Sequence, residues 1–144
     1  MGDPIRFKRA ALIVAELDRS LAVYVGALGF TLQSIKESAS DSYSYEIFGV
    51  PAEAKLRMAA LDGPPDQPRT LALIEVRPPL PPTSGPRAST VVHVADLDVV
   101  LDRLRAVPAV RLLPERTLYT HDGKLGREVG VIDPDGHAIV VYHL

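Results

Sequence analysis

The side chains able to do chemistry in this chain are few, and cysteine is not among them. Disulfides, thiolate metal sites and cysteine nucleophiles are therefore excluded, and any metal would have to be held by histidine and carboxylate. Glu75 is the sharpest candidate. It interrupts the apolar run Leu73-Ile74-Glu75-Val76, and a carboxylate among apolar neighbours is costly unless it is neutralised, hydrogen-bonded or paired. His93 closes Val91-Val92-His93; an imidazole there reads as a general base, a displaced ligand or a hydrogen-bonded structural group, and the sequence leaves these open. His121 lies in the polar loop Thr120-His121-Asp122-Gly123-Lys124, as a solvated residue or part of a ligand lid. His137 occupies a turn, and His143 adjoins the last residue.

These residues are positioned by a repeat. Val14-Ala15-Glu16-Leu17-Asp18-Arg19-Ser20-Leu21 returns as Val94-Ala95-Asp96-Leu97-Asp98-Val99-Val100-Leu101, each time after an apolar run and before a helical pattern. One motif thus fixes a strand-to-helix corner in two places. The first half predicts a strand over Ile5 to Val14, a helix carrying Leu17, Leu21, Tyr24 and Leu28, a strand over Thr31 to Lys36, and a hairpin of Lys55 to Leu61 and Thr70 to Arg77 about Asp62-Gly63-Pro64-Pro65. Ser38 to Pro51 carries Tyr43, Tyr45 and Phe48 and reads as a short helix or a loop. Pro78 to Pro86 holds five prolines, which lock φ and remove donors, so it reads as a semi-rigid connector. The second half predicts a strand at Ala88 to Val94, a helix at Leu97 to Ala106, and strands at Val110 to Pro114, Glu128 to Ile132 and Ala138 to Tyr142. Asp133-Pro134-Asp135-Gly136 makes the tight turn before the last strand. The expected organisation is an α+β fold of two βαβββ modules, residues 1–77 and 88–144, joined by 78–87.

Composition bounds the partners. The chain has 144 residues, 47% of them hydrophobic, enough for one core or two half-sized modules sharing an interface. Sixteen basic and eighteen acidic residues give a net charge of -2 with the basic residues scattered, which argues against nucleic acid or an anionic membrane as a partner. Met1 to Arg9 carries Asp3, Arg6, Lys8 and Arg9 without an apolar run, and no later stretch approaches a membrane span, so the expected location is the cytoplasm.

The helix-opening Glu-Leu-Asp-Arg-Ser-Leu, Leu28-Gly29-Phe30, and Asp133-Pro134-Asp135-Gly136-His137 before a final strand resemble the vicinal oxygen chelate superfamily, which includes glyoxalase I, extradiol dioxygenases and bleomycin-binding proteins. The resemblance implies two sheets curled around a central cleft, with a divalent ion held in metalloenzyme members by His and Glu of the first and last strands of each module. It places the first-strand ligand positions at Arg9 and Ser89 and the last-strand positions at Glu75 and Val140. Only Glu75 is a ligand type, so no metal and no other cofactor is expected. The same resemblance makes the first and fourth strands of a module neighbours and implies an Arg9 to Glu75 ion pair in place of the metal. It also implies a homodimer.

Alternation along strands puts Arg9, Ala11 and Ile13 on one face and Ser89, Val91 and His93 on another, and lets only one of Arg127 and Glu128 face inward. The expectation is a metal-free small-molecule-binding protein. Arg9, Ala11, Ile13, Ser89, Val91, Val140 and Tyr142 would line its cleft, with Glu75 and His93 as the candidate catalytic groups. The rival is a lyase, isomerase or dioxygenase of the same superfamily, either metal-dependent with relocated ligands or metal-free with Glu75 or His93 as base. A third class, a structural or regulatory module, would fill its cleft with its own side chains.

Overall fold

The computed structural model describes residues 7–63, 65–86 and 88–144. It contains two mixed sheets. In the first, β1 (Ala10–Val14), β2 (Thr31–Glu37), β3 (Lys55–Gly63) and β4 (Gln67–Arg77) are ordered β1-β4-β3-β2, with β1 parallel to β4 and the other pairs antiparallel. In the second, β5 (Ser89–His93) runs parallel to β9 (Ala138–His143), β9 pairs with β8 (Leu125–Ile132), and both β6 (Arg111–Leu112) and β7 (Arg116–Tyr119) lie along the remaining edge of β8. The fold class is α+β, as expected. The start of the first strand at Ile5, and Pro64 of the hairpin turn, lie outside the described residues.

One element differs from expectation, and one left open between helix and loop is a short helix. The second sheet has an additional strand, β7, because Pro114, which cannot donate to a ladder, breaks one edge into two short segments. Ser38 to Pro51 includes a single helical turn, α2 (Ser44–Ile47). Its residue Tyr45, with Phe48, Val50 and Ala54 beyond it, packs with Leu56, Ile74, Val76, Met58 and Ile13 on one face of the first sheet, and the Tyr45 hydroxyl donates to the Ala54 carbonyl at 2.7 Å.

The two repeats do start helices at matching corners. Glu16 and Asp96 each stand one residue before the first helical position, of α1 (Leu17–Leu21) and α3 (Leu97–Arg105). Asp96 caps α3 by accepting from the Val99 N–H at 3.1 Å. Leu97, Val100, Leu101 and Leu104 form its buried stripe, the i, i+3, i+4 and i+7 spacing of an amphipathic helix. α1 continues as a π-helical segment over Ala22–Ala27, where the Leu28 N–H donates to the Val23 carbonyl at 2.9 Å.

By contacts the chain divides into two compact units, Met1–Leu17 with Gly29–Leu80, and Asp18–Leu28 with Pro81–Leu144. Most of the first helix thus belongs with the second sheet, where its π-helical part packs on α3. Two of the three motifs that carried the family resemblance, the helix-opening segment and the Asp-Pro-Asp-Gly turn, bond to each other within this unit. Arg19 reaches Asp135 at 3.0 Å, and the Ser20 hydroxyl donates to the same carboxylate at 3.3 Å. The Tyr24 hydroxyl donates to Asp133 Oδ2 at 2.8 Å, while Asp133 Oδ1 accepts from the backbone N–H groups of Asp135 and His137, both at 2.9 Å. Gly136 completes the turn at φ +88°, a conformation that a side chain would strain. Burial, and then the Asp133 carboxylate, raise the Tyr24 phenol well above its ordinary range, so it stays a neutral donor.

Candidate functional site

In the first unit the candidate Glu75 is buried at 1% exposure and fully engaged. Arg57, directly opposite on β3, donates from Nε to Oε1 at 3.1 Å and from Nη2 to Oε2 at 3.2 Å. Arg77 Nε lies 2.8 Å from Oε1. The Leu17 N–H, the first of α1, donates to Oε2 at 2.6 Å. Burial pushes the carboxyl up, but the bonds from Arg57, Leu17 and Arg77 outweigh it and hold the group below the usual carboxylate range. A carboxylate so satisfied is a structural anion and a poor proton acceptor.

The expected Arg9 to Glu75 pair is not formed. β1 and β4 are neighbours, but Val14 is the residue opposite Glu75. Arg9 is five residues earlier, about 16 Å along the strand, and exposed. The register also moves the ligand position of the resemblance. Val91, two residues beyond Ser89, pairs with Val140, while Ala11, two beyond Arg9, pairs with Ala72. The counterpart of Val140 on β4 is therefore Ala72, and Glu75 sits three residues further on. Four positions at which the superfamily implies metal ligands thus carry Arg9, Ala72, Ser89 and Val140. A guanidinium and two hydrocarbon side chains offer a divalent ion no lone pair, and a lone hydroxyl is a weak donor, so this set does not fit a metal. Among the described residues no three His, Asp or Glu side chains converge on a metal-sized site. Ala11 is exposed, and Ile13 packs against the cluster under α2.

The second unit brings its predicted residues together. Ser89, Val91 and His93 share one face of β5, and their partners Ala138, Val140 and Tyr142 share that face of β9. The opposite face carries Ile139 and Val141, fully buried, with β9 packed on α3. The first face is open: Val91 is 63% exposed. The His93 ring lies 4.9 Å from that of Tyr142 and stacks at 5.8 Å on that of His143. His143 in turn bonds the Val94 carbonyl through Nδ1 at 2.8 Å.

Register extends this face across β8 and adds residues that the sequence alone does not bring to it. Glu128 is opposite Tyr142 and Arg116 is opposite Glu128, so His93, Tyr142, Glu128 and Arg116 form one polar row across four strands. The next row is Val91, Val140 and Gly130. Gly130 makes room there, because a Cβ would lie 2.8 Å from Leu113 Cδ1 and displace it; Leu113 covers the glycine and completes an apolar patch. Arg127, one residue from Glu128, faces the other way and pairs with Asp98 and Glu115, each at 2.8 Å. Only Glu128 of that pair looks onto the open face, as alternation required. Among the described residues the side chains of Glu128 and Arg116 make no hydrogen bond or ion pair. Without β7 no sequence signal points to Arg116, and Glu128 is legible only as half of an alternative. His121 is exposed in the β7–β8 turn, where Thr120 bonds Asp122 and accepts from the Lys124 N–H at 2.9 Å.

No helix among the described residues is long and apolar enough to cross a membrane. The fold matches that of a glyoxalase family protein from Bacillus cereus, with a TM-score of 0.76 and 16% identity over 99% of this chain and 95% of that one. It also matches the trypanothione-dependent glyoxalase I of Leishmania major, with a TM-score of 0.65 and 18% identity over 97% and 87%. A third match is TnmS3, an antibiotic-binding protein from Streptomyces sp. CB03234, with a TM-score of 0.60 and 20% identity over 99% and 98%. Among curated proteins none matches the chain. Residues 6–141 match the family whose fold these structures share, and the chain belongs to the Glyoxalase/Bleomycin resistance protein/Dioxygenase superfamily.

Proposed function

We propose that the chain binds a small organic molecule, without a metal, on the open face of its second sheet. The observation that carries this reading is the solvent-facing apolar patch of Val91, Val140 and Leu113, the last lying over Gly130, bordered by His93, Tyr142, Glu128, Arg116 and Arg111. Sites of this kind bind by apolar area and are oriented by a few polar groups. Sequestration needs shape and no reactive ion, and the donor set at the family ligand positions suits that role. TnmS3 of Streptomyces is an antibiotic-binding protein, and binding of an antibiotic-like ring compound is the form of the activity we favour for this chain. By family analogy the protein is a homodimer, which sedimentation at micromolar concentration tests.

Chelator-treated, dialysed protein should bind members of a panel of flat polycyclic antibiotics in isothermal titration, with methyl resonances of Val91 and Val140 shifting on titration. Val140→Arg should abolish the heat. Unchanged binding by Val140→Arg, or binding that returns only with added Zn, Ni, Fe or Mn, would overturn the reading.

A further inference from the structure

The five strands of the second sheet carry three arginines, Arg111, Arg116 and Arg127, and a single acidic residue, Glu128. The fold answers the three unequally. Arg127 faces away from the open side and holds two carboxylates brought from outside the sheet, Asp98 of α3 and Glu115, each at 2.8 Å. Arg116 stands opposite Glu128. Arg111 stands opposite Ile132, and the row continues through Ala138 to Ser89 without an acid. Among the described residues the exposed Arg111 guanidinium makes no hydrogen bond or ion pair. Two further carboxylates of the second unit are engaged elsewhere, Asp102 with Arg105 and Asp135 with Arg19. With Glu128 set against Arg116, the open face is left with one uncompensated positive charge.

The rows place that charge beside apolar surface. Ile132, Gly130 and Glu128 are alternate residues of β8, so Arg111 and Arg116 stand about 13 Å apart along its edge. Leu113 lies between them, its N–H bonded to the Gly130 carbonyl at 2.8 Å. An anion drawn to Arg111 therefore carries its apolar body onto Leu113, Val140 and Val91, in the next row. The row beyond holds Glu128, which repels a second negative charge on the same ligand.

Resting on the reading of this face as the binding site, we infer that its ligand class is a monoanionic organic acid, with one carboxylate held by Arg111 and an apolar body lying on Leu113, Val140 and Val91. Arginine suits the task because its planar fork matches a carboxylate with two parallel hydrogen bonds.

Three probes with one body and different ends test this on the full chain: 4-phenylbutyrate, 4-phenylbutyramide and 4-phenylbutylammonium, followed by calorimetry and by methyl shifts at Val91 and Val140. Phenylbutyrate should bind about tenfold more tightly than the amide, and the ammonium more weakly than either. Arg111→Gln should bring phenylbutyrate down to the affinity of the amide and leave the amide unchanged, which shows at the same time that the variant is folded. Glu128→Gln should act in the opposite sense and tighten phenylbutyrate by about threefold, an effect that damage to the fold does not produce. Equal affinity for acid and amide with both valines shifting, or a preference for the acid that survives Arg111→Gln, overturns the assignment of a carboxylate to Arg111 while the face remains a binding site. No shift at either valine with any probe overturns the binding face itself, and the inference with it.

Discussion

The two strand-to-helix corners begin from the same short motif and are secured by different means. At the second corner Asp96 caps its own helix through the Val99 N–H, a local bond within three residues. At the first, the helix N–H of Leu17 is answered by Glu75, fifty-eight residues away on β4 and itself held by two arginines. The sheets differ in the same sense. One face of the first is covered around Ile13, Met58 and Ile74 by Tyr45, Phe48, Val50 and Ala54, whereas in the second His93, the counterpart of Ile13, begins a polar row; Ala11 and its counterpart Val91 are both exposed. The two copies of the repeat are therefore used differently: buried charge and packing hold the first unit, and the second leaves exposed the face that we propose binds a ligand.

That division of labour can be broken most severely at Glu75. Arg57→Met with Arg77→Met should lower unfolding free energy by roughly 3–5 kcal/mol in urea denaturation, because it strands a buried carboxylate; adding Glu75→Gln should recover part of the loss. A native carboxyl held below its unfolded value supplies stability that is complete above about pH 4.3 and lost as pH falls through the native value. Glu75→Gln should accordingly flatten the acid limb of a stability profile, and an unchanged limb would refute the assignment. Next in size, Asp133→Ala should cost about 3 kcal/mol by freeing two turn N–H groups and the Tyr24 hydroxyl, with Tyr24→Phe costing about half as much. The local cap is smaller: Asp96→Ala should cost about 1 kcal/mol, and a loss as large as that at Glu75 would erase the contrast between corners. Smallest of all, Val91→Thr should leave the melting temperature nearly unchanged, within about 0.5 kcal/mol, while reducing ligand affinity.

Much of the scaffold can be read from the sequence because it is written locally. The repeated corner, the proline-rich stretch and the Asp-Pro-Asp-Gly turn each specify backbone within a few residues. What cannot be read depends on register between distant strands. Nothing in Lys55-Leu56-Arg57-Met58 says that Arg57 will stand opposite Glu75, so the expected partner, Arg9, lies five residues out of step. The same blindness hides the polar row: Arg116 follows Pro114-Glu115, where apolar alternation is broken, and only pairing of β7 with β8 brings it beside Glu128. The positions that alternation alone decides, Ser89 with Val91 and His93, and Val140 with Tyr142, fall on one face as expected.

The assignment of Asp18–Leu28 to the second unit constrains how this gene can be recombined. A crossover at the proline-rich connector would separate residues 81–144 from the segment that supplies Val23, Tyr24 and Ala27 to their packing and the Tyr24 hydroxyl to Asp133. A chimera made there inherits a foreign first helix. It can succeed only where that helix brings its own equivalents of Arg19, Ser20 and Tyr24, so inheritance of the second half is tied to eleven residues encoded in the first.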